Sequence, residues 1–303
     1  VTAAARLDAR ATVELAHAVV ADAAAVAGVP FLVLKGLGAQ HHGLQDRHRV
    51  PADVDVLVPP RGVPVMTAEL ERRGWRRRPA DADDVTFSRH SVTLFRSGWS
   101  CDLDVHDRFP GFGTDTDAVF ARLWRTRCTL VVAGASVPVP DLPEAVLVQA
   151  LHCLRSITVP RHAEEYAHLV ERTAGDGNPA LLAPTVLDAA RALGAVPAAR
   201  PFLTDAFGIE LDDWGVPDLR WRLLTAASSP HARRLLALVE APWRERLRVV
   251  RVALLPPRET LEKRGLGGLD RFGLLAAYAR RLWRGVRFLP SAAREARRAR
   301  DRG

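Results

Sequence analysis

No apolar run in this sequence reaches the roughly 18 residues that a membrane-spanning helix requires. Cysteine is scarce, with only Cys101, Cys128 and Cys153 in 303 residues. An odd, scattered set builds neither a disulfide framework nor a zinc site, and it suits a reducing cytoplasm, the expected location. Several signatures of common enzyme chemistry are also missing. Gly36, Gly38 and Gly43 lack the spacing of a dinucleotide-binding turn, no Walker-type Gly-Lys-Ser occurs, and there is no Gly-x-Ser-x-Gly elbow. Lysine is nearly absent: of 43 basic residues only Lys35 and Lys263 are lysines. Arginine serves almost everywhere else, so a lysine kept at position 35 marks a place where a compact point charge suits the chemistry, as it does against phosphate.

What is present is ordinary for a globular chain: 48% hydrophobic and 26% charged residues. The net charge of +8 is not spread evenly. From Arg280 to Gly303 there are nine arginines against Glu295 and Asp301, a net of +7, which leaves a nearly neutral body. That body argues against an extended nucleic-acid groove. The tail is open to two readings, a solvated terminus or a weak contact with RNA or an anionic surface. The alanine-rich first 28 residues carry Arg6, Asp8, Arg10, Glu14 and Asp22, which predicts an amphipathic helix and not a secretion signal.

Patterning predicts an α/β front and an all-helical back, with the change near residue 140. A helix over 4–27 is followed by a buried strand at Phe31–Leu34 and a short helix over 38–44. A strand at Asp53–Val58 ends at Pro59-Pro60, and a helix follows over 63–73. Three β-like runs cover Val85–Arg89, Ser91–Arg96 and Ser100–His106. Asp117–Arg127 reads as helix, and 129–132 with 137–139 as a hairpin around Gly134. Asp141 with Glu144 forms an N-terminal helix signature before 145–155. Further helices are predicted over 161–173, 179–193, 218–227, 230–239, 243–253 and 271–288. The expected domains are therefore residues 1–140 and 141–303, the second ending in the basic tail.

The chemistry concentrates in two strands. Side chains alternate along a strand, so Asp53 and Asp55 share one face while Val54 and Val56 point into a core. Two carboxylates about 7 Å apart on one face are costly unless a positive charge lies between them. Divalent cations meet that need, and paired metals are common machinery for phosphoryl and nucleotidyl transfer. In the second strand Asp102, Asp104 and His106 share a face, with Leu103 and Val105 on the other. If the strands are neighbours, Asp104, or Asp102 in its place, joins Asp53 and Asp55. Gly36 lies just past a strand end, where backbone can approach a phosphate. His41, His42 and His48 sit in a polar loop without a matching ligand, and His152 reads as a packed helix residue.

In order, these segments are Val33-Leu34-Lys35-Gly36, then Arg49 four residues before Asp53-Val54-Asp55-Val56-Leu57-Val58, then Leu103-Asp104-Val105-His106. The set resembles the nucleotidyltransferases of the DNA polymerase β superfamily, and more narrowly a bacterial family of uncharacterised nucleotidyltransferases. The match covers about the first 110 residues, and only Leu151-His152 extends it into the helices. The resemblance implies an α+β fold: a polymerase-β-like domain, a mixed sheet with flanking helices, followed by a helical domain. It implies that Asp53, Asp55 and Asp104 are catalytic and hold one or two Mg²⁺ ions. It further implies that Lys35 and the amides of Gly36 and Leu37 hold the triphosphate of ATP or another nucleoside triphosphate. Arg49 would pair with the carboxylates or a phosphate, or form a structural ion pair. His106 would contact a phosphate or the acceptor, or serve as a hydrogen-bonded structural residue. The superfamily loop is usually Gly-Ser or Gly-Gly, whereas this chain has Lys35-Gly36-Leu37-Gly38, with the lysine replacing the phosphate-binding serine. The acceptor is open: a small alcohol or sugar, a peptide or protein side chain, or an RNA end. The reading from another class is a non-catalytic module that keeps the fold and engages a partner or membrane through the tail.

Overall fold

The computed structural model describes residues 8–78, 90–175, 179–225, 230–240, 243–254 and 271–300. The chain divides into two compact units, one comprising Val1–Arg78 with His90–Pro217 and the other Pro79–Arg89 with Asp218–Gly303.

The first unit opens with α1 (Ala9–Ala27). Asp8 caps it by accepting the Ala11 amide, and Gly28 closes it in the left-handed region at φ 64°. Its buried positions Val13, Ala16, Val20, Ala23 and Ala24 recur at helical spacing and cover one face of a sheet. That sheet has the order β1-β2-β5-β4-β3, built from β1 (Leu32–Val33), β2 (Asp53–Leu57), β3 (Arg76–Arg77), β4 (Ser91–Phe95) and β5 (Asp102–His106). It is mixed: β2 and β5 run parallel, and every other pair is antiparallel. Val54, Val56, Leu103 and Val105 are all but inaccessible and join α1 and Met66 and Leu70 of α3 (Gly62–Arg72) in one core. Burying each such side chain contributes about 1.5–3 kcal/mol. Alternation then sends the acids of β2 and β5 to the other face. The β-like run at 85–89 lies outside the described residues.

The short helix α2 (Leu37–His41) follows β1, and α4 (Thr116–Thr126) follows β5. The predicted hairpin is β6 (Cys128–Val132) with β7 (Ala135–Val139), joined by Ala133 and Gly134 at φ 48° and 79°. Two left-handed residues in a two-residue loop match the right-handed twist of the strands. Helix α5 (Leu142–Leu154), capped by Asp141, is buried along most of its length and packs against α6 (Pro160–Gly175), α7 (Pro179–Ala192) and α8 (Val196–Phe207).

The change of texture near residue 140 is the end of the strands, but the compact unit continues to Pro217. Two contacts show why. Buried Glu144 accepts hydrogen bonds from Arg122 at 3.0 and 3.1 Å, tying α4 to α5. The Gly113 amide reaches the carbonyls of Leu193 and Gly194, and a Cβ on Gly113 would lie 2.8 Å from the Gly194 oxygen. Helix α8 has no counterpart in the sequence prediction, where its prolines read as breaks. Pro197 sits at the start of the helix, where its missing N–H costs nothing, and Pro201 is tolerated inside it.

The second unit contains α9 (Leu219–Thr225), α10 (Pro230–Glu240), α11 (Trp243–Leu254) and α12 (Arg271–Arg300). Leu223, Leu236 and Val249 form one small core and Ala232 with Ala292 another. Among the described residues, no helix is long and apolar enough to cross a membrane.

Candidate active site

The parallel pairing of β2 and β5 sets Asp53 opposite Asp102, Asp55 opposite Asp104 and Leu57 opposite His106. A parallel register keeps side chains of opposed residues on the same face, so four carboxylates and an imidazole meet on the side away from α1. Tertiary partners then give each acid a different character.

Asp55 is buried, and its Oδ1 receives both the Lys35 ammonium at 2.7 Å and His106 Nε2 at 2.9 Å. Burial alone would raise its pKa, but Lys35 and His106 together hold the carboxyl well below the usual carboxylate range. Asp104 accepts a 2.5 Å hydrogen bond from Thr93 Oγ1, which stands directly across from it on β4. Asp102 is taken by Arg78 through two hydrogen bonds of 2.6 and 2.8 Å. That bidentate pairing separates Asp102 from Asp104, which the strand pattern alone leaves equivalent. Asp53 is pushed up to about 6, first by burial and then by the charge of Asp55, with Asp104 adding and Lys35 and His106 opposing. One lysine and one histidine therefore do not neutralise the cluster.

Ligand atoms of Asp55, Asp104 and His106 lie within 4.8 Å of one another, the single such group among the described residues. In the neutral ring, donation from Nε2 to Asp55 leaves the His106 Nδ1 lone pair buried and without a partner. Two carboxylates, an orphaned imidazole nitrogen and the repulsion at Asp53 fit a divalent cation.

Lys35 follows β1, where the Leu34 amide bonds to the Asp55 carbonyl at 3.0 Å and so fixes the lysine beside that aspartate. Gly36 next to it has φ 59° and ψ −116°, a backbone region open to glycine, and a Cβ there would sit 3.1 Å from Pro51. The Arg49 guanidinium does not reach the β2 carboxylates; its partner is Glu165 of α6 at 2.7 Å. The cause is local, because Gln40 binds the carbonyls of Asp46 and Arg49 at 2.9 and 2.6 Å and fixes the loop toward the helices. His42 Nε2–H donates to the Pro140 carbonyl at 2.9 Å, and none of His41, His42 and His48 joins the acid group. Cys101 and Cys153 are buried thiols pushed up to about 11 and about 12, chiefly by burial.

Sequence reasoning missed His90, His162 and Arg155, and read His152 only as a packed helix residue. His90 stacks toward His106 with ring centres 5.5 Å apart, and it is pushed down to about 3 by burial and then by the charges of His106 and Arg155. At the end of α5, His152 lies 4.9 Å ring to ring from His162, and Arg155 Nη2 lies 3.4 Å from His152 Nδ1. The three-residue spacing of His152 and Arg155 on a helix is the one sequence signal that could have found this pair.

A family profile described as "Uncharacterised nucleotidyltransferase" matches residues 3–204, more than half the chain. No curated protein matches the sequence. Among solved structures, the chain is similar to the antibiotic-resistance factor ANT(2'')-Ia, at 15% identity over 65% of this chain and 97% of that one, with a TM-score of 0.38. It is also similar to an antigenic nucleotidyltransferase-like protein from Paracoccidioides brasiliensis, at 17% identity over 66% of this chain and 94% of that one, with a TM-score of 0.36.

Proposed function

The chain belongs to the family of uncharacterised nucleotidyltransferases, and from that membership together with its acid cluster we propose that it moves a nucleoside monophosphate group from ATP or another nucleoside triphosphate to a hydroxyl acceptor. The observation that carries this reading is the register of β2 on β5, which delivers Asp55 and Asp104 side by side with Asp53 on the same strand face. Magnesium held by Asp53, Asp55 and Asp104 would neutralise charge on the phosphates as the acceptor oxygen displaces pyrophosphate at the α-phosphorus.

The chain's own residues have separate tasks. Lys35 and His106 keep Asp55 ionised, so that it holds a cation at any physiological pH. Asp104, fixed by Thr93, faces the acceptor hydroxyl and favours loss of its proton. Gly36 and Leu37 bring backbone amides beside Lys35, on the triphosphate side. Positioning and electrostatic stabilisation supply most of the rate in such transfers.

The test is incubation of the purified chain with each of four α-labelled nucleoside triphosphates, Mg²⁺ and a cell extract. Label appearing on a non-nucleotide molecule, with pyrophosphate released, and neither with Asp104→Asn, is the expected result. Label that never leaves the nucleotide in any of the four incubations would sink the reading.

A further inference from the structure

Resting on the nucleotidyl-transfer reading, we propose that Arg155, with His152 one turn before it, is the cation that receives the triphosphate of the nucleotide. The cations nominated by the sequence are engaged elsewhere. Lys35 is bound to Asp55 at 2.7 Å and Arg49 to Glu165 at 2.7 Å. Arg78 is spent on Asp102, and Arg108 on the adjacent Asp107 at 3.0 Å. Arg155 differs from all of these. It is half-buried, no carboxylate among the described residues lies within ion-pair distance of it, and its side-chain hydrogen bond goes to His152 Nδ1 at 3.4 Å. A guanidinium taken out of water without an anionic partner is costly, and chains keep such groups where an anion is to be bound.

Its position suits that role. Arg155 is the C-cap of α5, and α5 packs on α2, the helix that begins right after Lys35-Gly36. Gln149, earlier on α5, hydrogen-bonds Gln45 of the loop after α2 at 3.1 Å and fixes the approach. Arginine can only donate, so the contact with His152 Nδ1 puts the imidazole proton on Nε2. That Nε2–H has no protein acceptor among the described residues, so a second donor stands beside the guanidinium. His152 is pushed down to about 2 by burial and then by the charges of Lys35 and Arg155, which keeps it a neutral donor at physiological pH.

The acids complete the geometry. Arg155 lies within electrostatic reach of Asp55, Asp53 and Asp104, whose charges oppose the lowering that burial imposes on it, yet it forms an ion pair with none of them. Carboxylates suited to a cation and a guanidinium that pairs with none of them are complementary parts of a site for a metal-bound anion. A polyphosphate bridging metal and guanidinium satisfies both, and bidentate donation to phosphate is the geometry arginine supplies best.

The test is equilibrium binding of the four Mg·nucleoside triphosphates to the full chain, then of the tightest of them (written ATP below) and its monophosphate (AMP), comparing wild type, Arg155→Gln and Arg155→Lys, with urea unfolding run alongside. Arg155→Gln is expected to weaken Mg·ATP binding ~10–100-fold, the range for loss of a charge-assisted hydrogen bond, and to leave AMP binding within about twofold. Arg155→Lys keeps the charge and loses the fork, so it falls between the two and serves if the glutamine variant does not fold. A helix-capping role would lower the unfolding midpoint and leave the ATP-to-AMP ratio unchanged, and that ratio staying constant overturns the proposal. Wild type that binds none of the four triphosphates overturns the nucleotidyl-transfer reading itself, whereas equal ATP affinity in wild type and variants overturns only the role of Arg155.

Discussion

Lys35 and Asp55 meet at the end of β1, the ammonium 2.7 Å from a carboxylate oxygen, with 10% and 4% of the two side chains exposed. The same oxygen also takes the His106 bond. The site therefore carries its own positive charge, and that charge is directed at one acid out of four. Asp55 is ionised and fixed, Asp102 is neutralised by Arg78, Asp104 is oriented by Thr93, and Asp53 is left with burial and a repulsion that Lys35 and His106 only partly offset.

Removing the lysine should be expensive. Lys35→Met leaves a buried carboxylate with only His106 beside it, and breaking a buried pair in this way costs about 3–5 kcal/mol. Urea unfolding with and without Mg²⁺ in excess should show the loss and its partial recovery with the ion. An unchanged midpoint would mean that the pair contributes no net stability.

Asp53 makes a prediction of opposite sign. Its ordinary value is 3.8 and the fold pushes it up to about 6. Between those values the folded protein binds more protons than the unfolded chain, so stability falls as pH rises from about 4 to about 6 and stays lower above. Asp53→Asn mimics the protonated acid at every pH. The variant should match wild type near pH 3.5 and exceed it by ~1–2 kcal/mol at pH 8 without metal, after discounting for partial exposure. Equal unfolding midpoints at pH 8 would contradict the burial and repulsion that raise Asp53.

Asp104 should couple stability to divalent ions. Wild-type melting temperature is expected to rise with added Mg²⁺ or Mn²⁺, and Asp104→Asn to lose most of that rise. Its transfer activity should fall by about three orders of magnitude or more, equivalent to roughly 4 kcal/mol of barrier. A variant with the full ion-dependent shift would remove Asp104 from the metal site.

Two glycines provide a comparison of backbone strain. Gly28 and Gly36 have nearly equal φ, 64° and 59°, but ψ is 29° at the first and −116° at the second. A Cβ on Gly28 meets nothing within 4 Å, while one on Gly36 lies 3.1 Å from Pro51. Gly28→Ala should cost about 1 kcal/mol and Gly36→Ala about 2–3 kcal/mol. Only the second should also displace Lys35 and weaken nucleotide binding.

The sequence by itself determined what local periodicity encodes. Alternation put Asp53 and Asp55 on one face of β2 and Asp104 and His106 on one face of β5, because a strand turns each side chain half a revolution from the last. Capping by Asp141 and the hairpin at Ala133-Gly134 are equally local, whereas the helix expected over 4–27 passed over the Asp8 cap that opens α1 at Ala9. Only the tertiary structure decided the rest. Asp102 and Asp104 are indistinguishable by pattern, and it took Arg78, just past β3, to remove one and Thr93 of β4 to hold the other. Arg49 stands four residues before Asp53 in the chain but is drawn away to Glu165, more than a hundred positions later. Arg155 enters the neighbourhood of the acids from a helix that begins after the seven strands of the described residues. Electrostatic partners are chosen by distance in space, and a burial that leaves a charge paired or unpaired has no signature in the order of residues.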